Sequence, residues 1–124
     1  WGRGLDDGIY LWGYGNPETW VIWGRADEPV DEIMPDTAHL PAVGQATPNG
    51  WINMGVYHLP KQPSGLVAPQ YNNDDLALWN AGFGYDFSLS IPKVRYIRFE
   101  CITNAGQSNE FFHIMEMSFW GDTR

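Results

Sequence analysis

Two apolar runs near the end of the chain, residues 94–102 and 111–120, constrain its fold more than any other feature. In each run every second residue is apolar: Ile97, Phe99 and Cys101 in the first, and Met115, Met117 and Phe119 in the second. Alternation with a period of two places one face of a strand on a core and the other toward solvent. The polar residues 103–109 between the runs suit a loop between antiparallel strands. The sequence therefore predicts an antiparallel pair here.

Shorter runs of strand-like residues, broken by turn residues, continue this pattern through the rest of the chain. Residues 19–23 form a continuous apolar run, residues 51–59 form a run interrupted by Gly55, and residues 84–91 alternate. The chain has 14 Gly and 9 Pro, and short strands separated by such residues favour an all-β sandwich. Only residues 74–81 suit a helical turn or two, so we expect helix in less than about a fifth of the chain.

The charge balance narrows the classes of partner. Fifteen Asp and Glu against seven Lys and Arg give a net charge of −8, and clustered basic residues are absent. Binding to nucleic acid or to anionic membrane surfaces is therefore disfavoured, whereas a neutral, polyhydroxylated ligand is compatible. No segment is apolar enough for direct membrane insertion by this domain. Cys101 is the only cysteine, predicted as a buried thiol, and it fits a cytosolic protein or a bacterial surface protein equally.

The best candidate site is the Gly-rich segment at residues 4–17, which carries aromatic and polar side chains together. Sugars present apolar C–H faces on which aromatic rings stack, and hydroxyls that carboxylates, amides and guanidinium groups bind with directional geometry. The candidate binding residues here are Arg3, Asp6, Asp7, Tyr10, Trp12 and Tyr14. The alternative is that Trp12 and Tyr14 fold back and cover the end of the sandwich as core.

Motifs for catalysis are not found. The adjacent pairs Asp6–Asp7 and Asp74–Asp75 point to opposite faces if they lie in strands, so neither is a natural acid/base couple, and surface turns explain both. A glycosidase needs two carboxylates flanking the scissile bond, and no convincing pair presents itself. The three histidines lack metal-ligand spacing. We therefore expect no enzyme activity from this chain.

Several segments resemble the discoidin-like (coagulation factor 5/8 type C) domains, which are galactose-binding-like. They are residues 16–27, with Arg25 where the family has Ser, and residues 63–66, 85–87, 94–102 and 113–121. The resemblance covers residues 1–121 and is to a branch found on surface proteins of glycan-degrading bacteria, often beside glycoside hydrolase domains. It implies an antiparallel jelly-roll β-sandwich with ligand loops at one end.

The resemblance also has implications for the site. It places the 4–17 loop and the 104–109 loop at the same end of the sandwich, which adds Asn104, Gln107, Ser108 and Asn109 to the site. Glu116 aligns with a Glu that often completes a structural calcium site in the family, and the alternative is a Glu on the solvent face of a strand. No other cofactor is implied.

The resemblance further implies that the first strands of the fold are absent from these residues. We therefore expect residues 1–124 to form a single, N-terminally incomplete, C-terminal module of a larger protein. The gap would be filled by upstream residues, by a partner copy or by an exchanged strand. Self-association through an unpaired sheet edge is expected on the same ground.

The predicted function is that of a non-catalytic carbohydrate-binding module. It would target an attached glycoside hydrolase or surface glycan-uptake protein to polysaccharide or glycoprotein glycans, outside the cell, on the bacterial surface or in the periplasm. Its partners would be a glycan and a neighbouring domain of the same protein. The alternative is a structural spacer or protein–protein interaction domain without a sugar site. Exposed, coplanar rings of Trp12 and Tyr14 would favour the sugar, and burial of both would favour the spacer.

Overall fold

The computed structural model describes residues 11–106 and 111–121, and their arrangement is mostly β. The elements are β1 (Pro17–Arg25), β2 (Ile52–His58), α1 (Asn73–Ala81) and β3 (Tyr96–Asn104). The three strands form one sheet in the order β2-β1-β3. The chain divides into two compact units: unit 1 is Trp1–Glu18, Leu59–Gly84 and Thr103–Arg124, and unit 2 is Thr19–His58 and Tyr85–Ile102.

The central strand β1 is antiparallel to β2. It is buried on both faces, as its continuous apolar run predicts. Trp20 pairs with Tyr57, and the register shifts between Ile22 and Trp23. Gly55 lies opposite this irregularity with a φ of 139°, a conformation that favours glycine. The glycine that interrupts the 51–59 run therefore marks a β-bulge.

The core of unit 2 lies on one face of β1. Its buried members are Val21, Trp23 and Trp51, with Met34, Leu40 and Ile102 packed against them. The indole Nε1 of Trp23 donates to Glu100 Oε2 over 2.9 Å, which satisfies the polar atom of a ring with no exposed surface. The 26–50 connection thus supplies apolar residues to this core.

On the other face of β1, aromatic rings pack against Trp20. Tyr57 and Phe99 stack at 6.5 Å and 5.9 Å between centroids, and Tyr85 meets Trp20 edge-on at 5.2 Å. Tyr85 donates its hydroxyl to His58 O, and burial raises its pKa to about 12. This residue is held by the sheet although it belongs to no strand.

Helix α1 packs in unit 1 and confirms the short helix expected at residues 74–81. The side chain of Asn72 caps its first turn by accepting from the amides of Asp74 and Asp75. Gly82 ends the helix with a φ of 81°. Trp79 is buried and forms the second core with Leu11 and Trp12. The helix is therefore fixed by its cap and by one aromatic residue.

The strand prediction for residues 84–91 is wrong. Ser88 Oγ accepts from the amide of Ser90, Ile91 N donates to Ser88 O, and the Leu89 side chain is fully exposed. Serine side chains that bond to nearby backbone compete with a strand ladder, and here they form a turn.

The strand prediction for residues 111–120 is also wrong, because this run forms no ladder with the strands that the structure describes. Alternation predicts the two faces of a strand, but a strand also needs a neighbour for its backbone groups. The described part of the chain accordingly forms one three-stranded sheet and not the two layers of a jelly roll. Cys101, expected to be buried, has intermediate exposure.

Candidate ligand-binding site

Three segments of unit 1 meet through backbone hydrogen bonds, and we call residues 13–16, 104–106 and 111–113 the junction. Gly15 N donates to Ala105 O over 2.9 Å, and Ala105 N donates to Asn16 O over 2.8 Å. His113 N donates to Gly15 O over 2.8 Å. The first two contacts join the end of the 4–17 segment to Ala105, in the two loops that the family resemblance places at one end of the fold. The third adds a segment that was expected to be a strand.

Two glycines allow this close approach. Both Gly15 and Gly106 have a φ of 83°. A Cβ on Gly106 would lie 2.9 Å from Tyr14 Cα, and a Cβ on Gly15 would lie 2.7 Å from the His113 ring. Such distances are shorter than carbon atoms accept, so the backbone of the junction requires glycine at both positions.

Tyr14 presents an aromatic side chain to solvent at the junction. It is 49% exposed and its ring meets that of Phe111 at 5.5 Å in a T-shaped arrangement. The side-chain amide of Asn104 donates to Phe111 O, which holds the phenylalanine in place. Phe111 was not a candidate in the sequence, although it lies two residues after the predicted ligand loop. An exposed phenol ring on a fixed backbone can stack on an apolar ligand face and form hydrogen bonds through its hydroxyl.

Trp12 was proposed as a binding residue with an exposed ring beside Tyr14, but it is buried. It is 9% exposed and packs against Trp79 at 4.8 Å and Phe83 at 5.9 Å. Its indole Nε1 donates to Pro60 O over 2.5 Å. Its backbone has a φ of 52°, in the left-handed region that residues other than glycine rarely adopt. Trp12 therefore belongs to the core of unit 1. Burial of both rings would have favoured the spacer function, but only Trp12 is buried and Tyr14 is exposed.

The remaining predicted binding residues lie outside the described part of the chain. They are Arg3, Asp6, Asp7, Tyr10, Gln107, Ser108 and Asn109. Of the ten binding residues proposed from the sequence, the structure thus places Trp12, Tyr14 and Asn104, and it brings Tyr14 and Asn104 to the junction.

Glu116 is exposed, and its Oε1 accepts from Ser118 Oγ over 3.5 Å. Within residues 11–106 and 111–121, no group of three or more His, Cys, Asp or Glu side chains is placed to hold a metal ion. Calcium takes about six to eight oxygen ligands, so Glu116 with its described neighbours does not form such a site. The calcium site stays a prediction that needs ligands from elsewhere.

Asp75 is a buried carboxylate, whereas the sequence suggested an acidic surface turn at Asp74–Asp75. Its oxygens accept from Ser64 N and Oγ, from Gln62 Nε2 and from Asn72 N, at 2.6–3.1 Å. Burial alone would raise the pKa of Asp75, but these hydrogen bonds outweigh it and lower the pKa to about 2. The spacing of Asn72 and Asp75 is that of a capping box, which was the available sequence signal.

The described residues are mostly β in structure, and the junction in unit 1 is an exposed candidate site built from loops. None of the described helices is long and apolar enough to cross a membrane. The chain belongs to the DUF5000 family, a domain of unknown function whose model matches residues 2–121. No curated protein matches the chain.

A solved structure with the same fold is that of the SusE-like protein BT2857. The TM-score is 0.60 at 24% sequence identity, over 83% of this chain and 50% of that one. This likeness shows the fold, and the chain spans about half the length of the protein that it matches.

Proposed function

We propose that this chain is a non-catalytic carbohydrate-binding module with a discoidin-like fold. It holds an attached glycoside hydrolase or a surface glycan-uptake protein near polysaccharide or glycoprotein glycans, outside the bacterial cell. The observation that carries the proposal is the exposed ring of Tyr14 at the junction, where both predicted ligand loops come together. Linking a weak binding module to an enzyme or receptor raises the effective concentration of its substrate.

Two further points support this proposal. The sequence segments quoted above resemble a discoidin-like branch associated with glycan utilisation. The structural neighbour is a SusE-like protein, a name also associated with glycan utilisation. The net charge of −8 suits a neutral saccharide better than an anionic one. A structural calcium ion completed by Glu116 and by residues outside the described ranges belongs to the same proposal.

Substitution of Tyr14 tests the proposal. A glycan array identifies a ligand of the wild type, and calorimetry then compares Tyr14→Ala, Tyr14→Phe and Tyr71→Ala. Tyr71 is the matched control because it is a tyrosine of unit 1 with 36% exposure that does not belong to the junction segments. We expect Tyr14→Ala to weaken binding roughly three- to tenfold through loss of stacking, while Tyr14→Phe keeps most of the affinity and Tyr71→Ala all of it. Equal affinities of the three variants would remove Tyr14 from the site.

The second candidate function is that of a spacer or protein-interaction domain without a sugar site. It is favoured by the burial of Trp12 and by the exposure of Met115 and Trp120, which are 68% and 84% exposed. Exposed apolar side chains close together in the chain are typical of surfaces that contact another protein. A wild-type domain that binds no glycan on the array would make this second function the better one.

A further inference from the structure

A pocket in unit 2, far in sequence from the junction, carries chemistry that the glycan proposal does not use. It has a volume of about 360 Å³, which is within the usual range for small-ligand sites. It is open to solvent, since four of its eight lining residues are exposed. The lining includes three prolines, and the polar groups come from a glutamate, a histidine and a threonine. The lining residues are Glu32, Ile33, Pro35, His39, Pro41, Ala46, Thr47 and Pro48.

Side chains of the sheet hold the walls of this pocket. Trp51 Nε1 donates to Val30 O over 2.9 Å, Arg98 Nη1 donates to Glu32 O over 3.1 Å, and Asn53 Nδ2 donates to Pro41 O over 2.7 Å. Because each bond fixes a carbonyl in the loop, the backbone around the pocket is set before any ligand arrives. Such preorganisation lowers the entropic cost of binding.

The carboxylate of Glu32 is also positioned. Its Oε2 accepts from Thr47 Oγ1 over 2.6 Å, and that hydroxyl in turn accepts from Trp51 N over 3.1 Å. Thr47 is only 6% exposed, so the hydroxyl has few other orientations. Among the residues that the structure describes, no lysine or arginine forms an ion pair with this carboxylate. A fixed acceptor with negative charge therefore lines the pocket, and the nearby Arg98 guanidinium bonds to the backbone carbonyl of Glu32 and not to its carboxylate.

The histidine adds a second polar group, held beside an acidic side chain. His39 Nδ1 lies 2.6 Å from Asp36 Oδ1, and a carboxylate oxygen can only accept, so Nδ1 carries the proton. Asp31 and Asp36 in the same loop increase the negative potential around the pocket. The polar groups of the pocket thus favour a ligand that donates hydrogen bonds and is positively charged.

We propose that this pocket binds a primary ammonium group carried on a compact, partly apolar scaffold. The ammonium donates to Glu32, and its apolar part lies against the proline walls. Two sources have this chemistry: a lysine side chain and an amino sugar. The site is separate from the junction, so this proposal does not depend on glycan binding there.

The test is a titration followed through the backbone amide resonances of residues 30–48. The probes are Nα-acetyl-lysine methylamide with its uncharged counterpart Nα-acetyl-norleucine methylamide, and glucosamine with glucose. We expect saturable shifts with at least one ammonium probe and none with its uncharged counterpart, and the probe that binds more tightly identifies the source. Shifts that are equal for a charged probe and its counterpart, or no shifts with either ammonium probe, would overturn the proposal.

Substitutions test whether the negative charge that binds the ammonium group is that of Glu32. Glu32→Gln keeps the size and the acceptor for Thr47 but removes the charge, and we expect it to weaken ammonium binding about tenfold or more. Asp31→Asn is the matched control, since it removes the same charge from the adjacent residue, which does not line the pocket. Ala46→Leu fills the pocket and should abolish binding of every probe. Equal affinities of Glu32→Gln and Asp31→Asn would show that only general electrostatic attraction is present and would overturn the site.

Discussion

Asp75 shows how a single carboxylate can hold a loop and a helix together. It bonds to the first turn of α1 through Asn72 and to the preceding loop through Gln62 and Ser64. These donors stabilise the charged form in the folded protein, where water does not reach the side chain. The residue therefore links local helix capping to the packing of unit 1.

The lowered pKa of Asp75 predicts an acid-dependent loss of stability. Its folded-state pKa of about 2 lies below the ordinary 3.8, so the charged form stabilises the fold above about pH 4. That contribution is lost as the pH falls from about 4 through 2. Urea unfolding across this range should show the loss in the wild type and in the exposed control Asp74→Asn, but not in Asp75→Asn, which is also less stable at neutral pH. An unchanged acid profile in Asp75→Asn would contradict this role.

Trp12 lies in a candidate ligand loop, but it contributes to the stability of the fold as a core residue. Truncation of a buried tryptophan typically costs about 3–5 kcal/mol, so Trp12→Ala should lower the free energy of unfolding by about that amount. Trp120→Ala is the control, because this side chain is 84% exposed and its loss should change stability by less than about 0.5 kcal/mol. Thermal and urea unfolding of the two variants measures both values. Similar stabilities would place Trp12 outside the core.

Among the elements, the sequence predicted the strand and the helix whose local residue pattern matches the burial and capping that the structure shows. The apolar run at 19–23 lies in the central strand, and the capped segment at 74–81 lies in the helix. Residues 84–91 alternate as a strand would, yet the hydroxyls of Ser88 and Ser90 bond locally and turn the chain. The alternation of apolar residues does not reveal this competition between side-chain and strand hydrogen bonds. It also does not reveal whether a neighbouring strand is available to residues 111–120.

The β-bulge in the β1–β2 pair gives a test at the same scale. A Cβ on Gly55 would lie 2.6–2.9 Å from the Tyr57 ring and hydroxyl, on a backbone with a φ of 139°. Gly55→Ala should therefore destabilise the protein by about 1–3 kcal/mol. Gly84→Ala serves as the control, since nothing lies within 4 Å of its Cβ position. Chemical unfolding that finds the two variants equally stable would show that the bulge tolerates a side chain.

At the scale of the whole molecule, the sequence predicted which loops meet but not how their side chains divide between core and surface. Tyr14 and Trp12 are two residues apart in one loop, and one is half-exposed while the other packs against Trp79. That division depends on α1 and on Phe111, which are distant in sequence. Among the described residues, β2 and β3 are the outer strands of the sheet, and self-association through such an edge stays a prediction.

Glycan binding at the junction is the central claim, and an amide-resonance titration tests it most directly. A glycan identified on an array is added to the isotopically labelled chain, and the shifted amides are assigned. The account predicts saturable shifts concentrated in residues 13–16, 104–106 and 111–113, with the amide of Tyr71 unchanged. The absence of any glycan that binds, or saturable shifts confined to other parts of the chain, would contradict it.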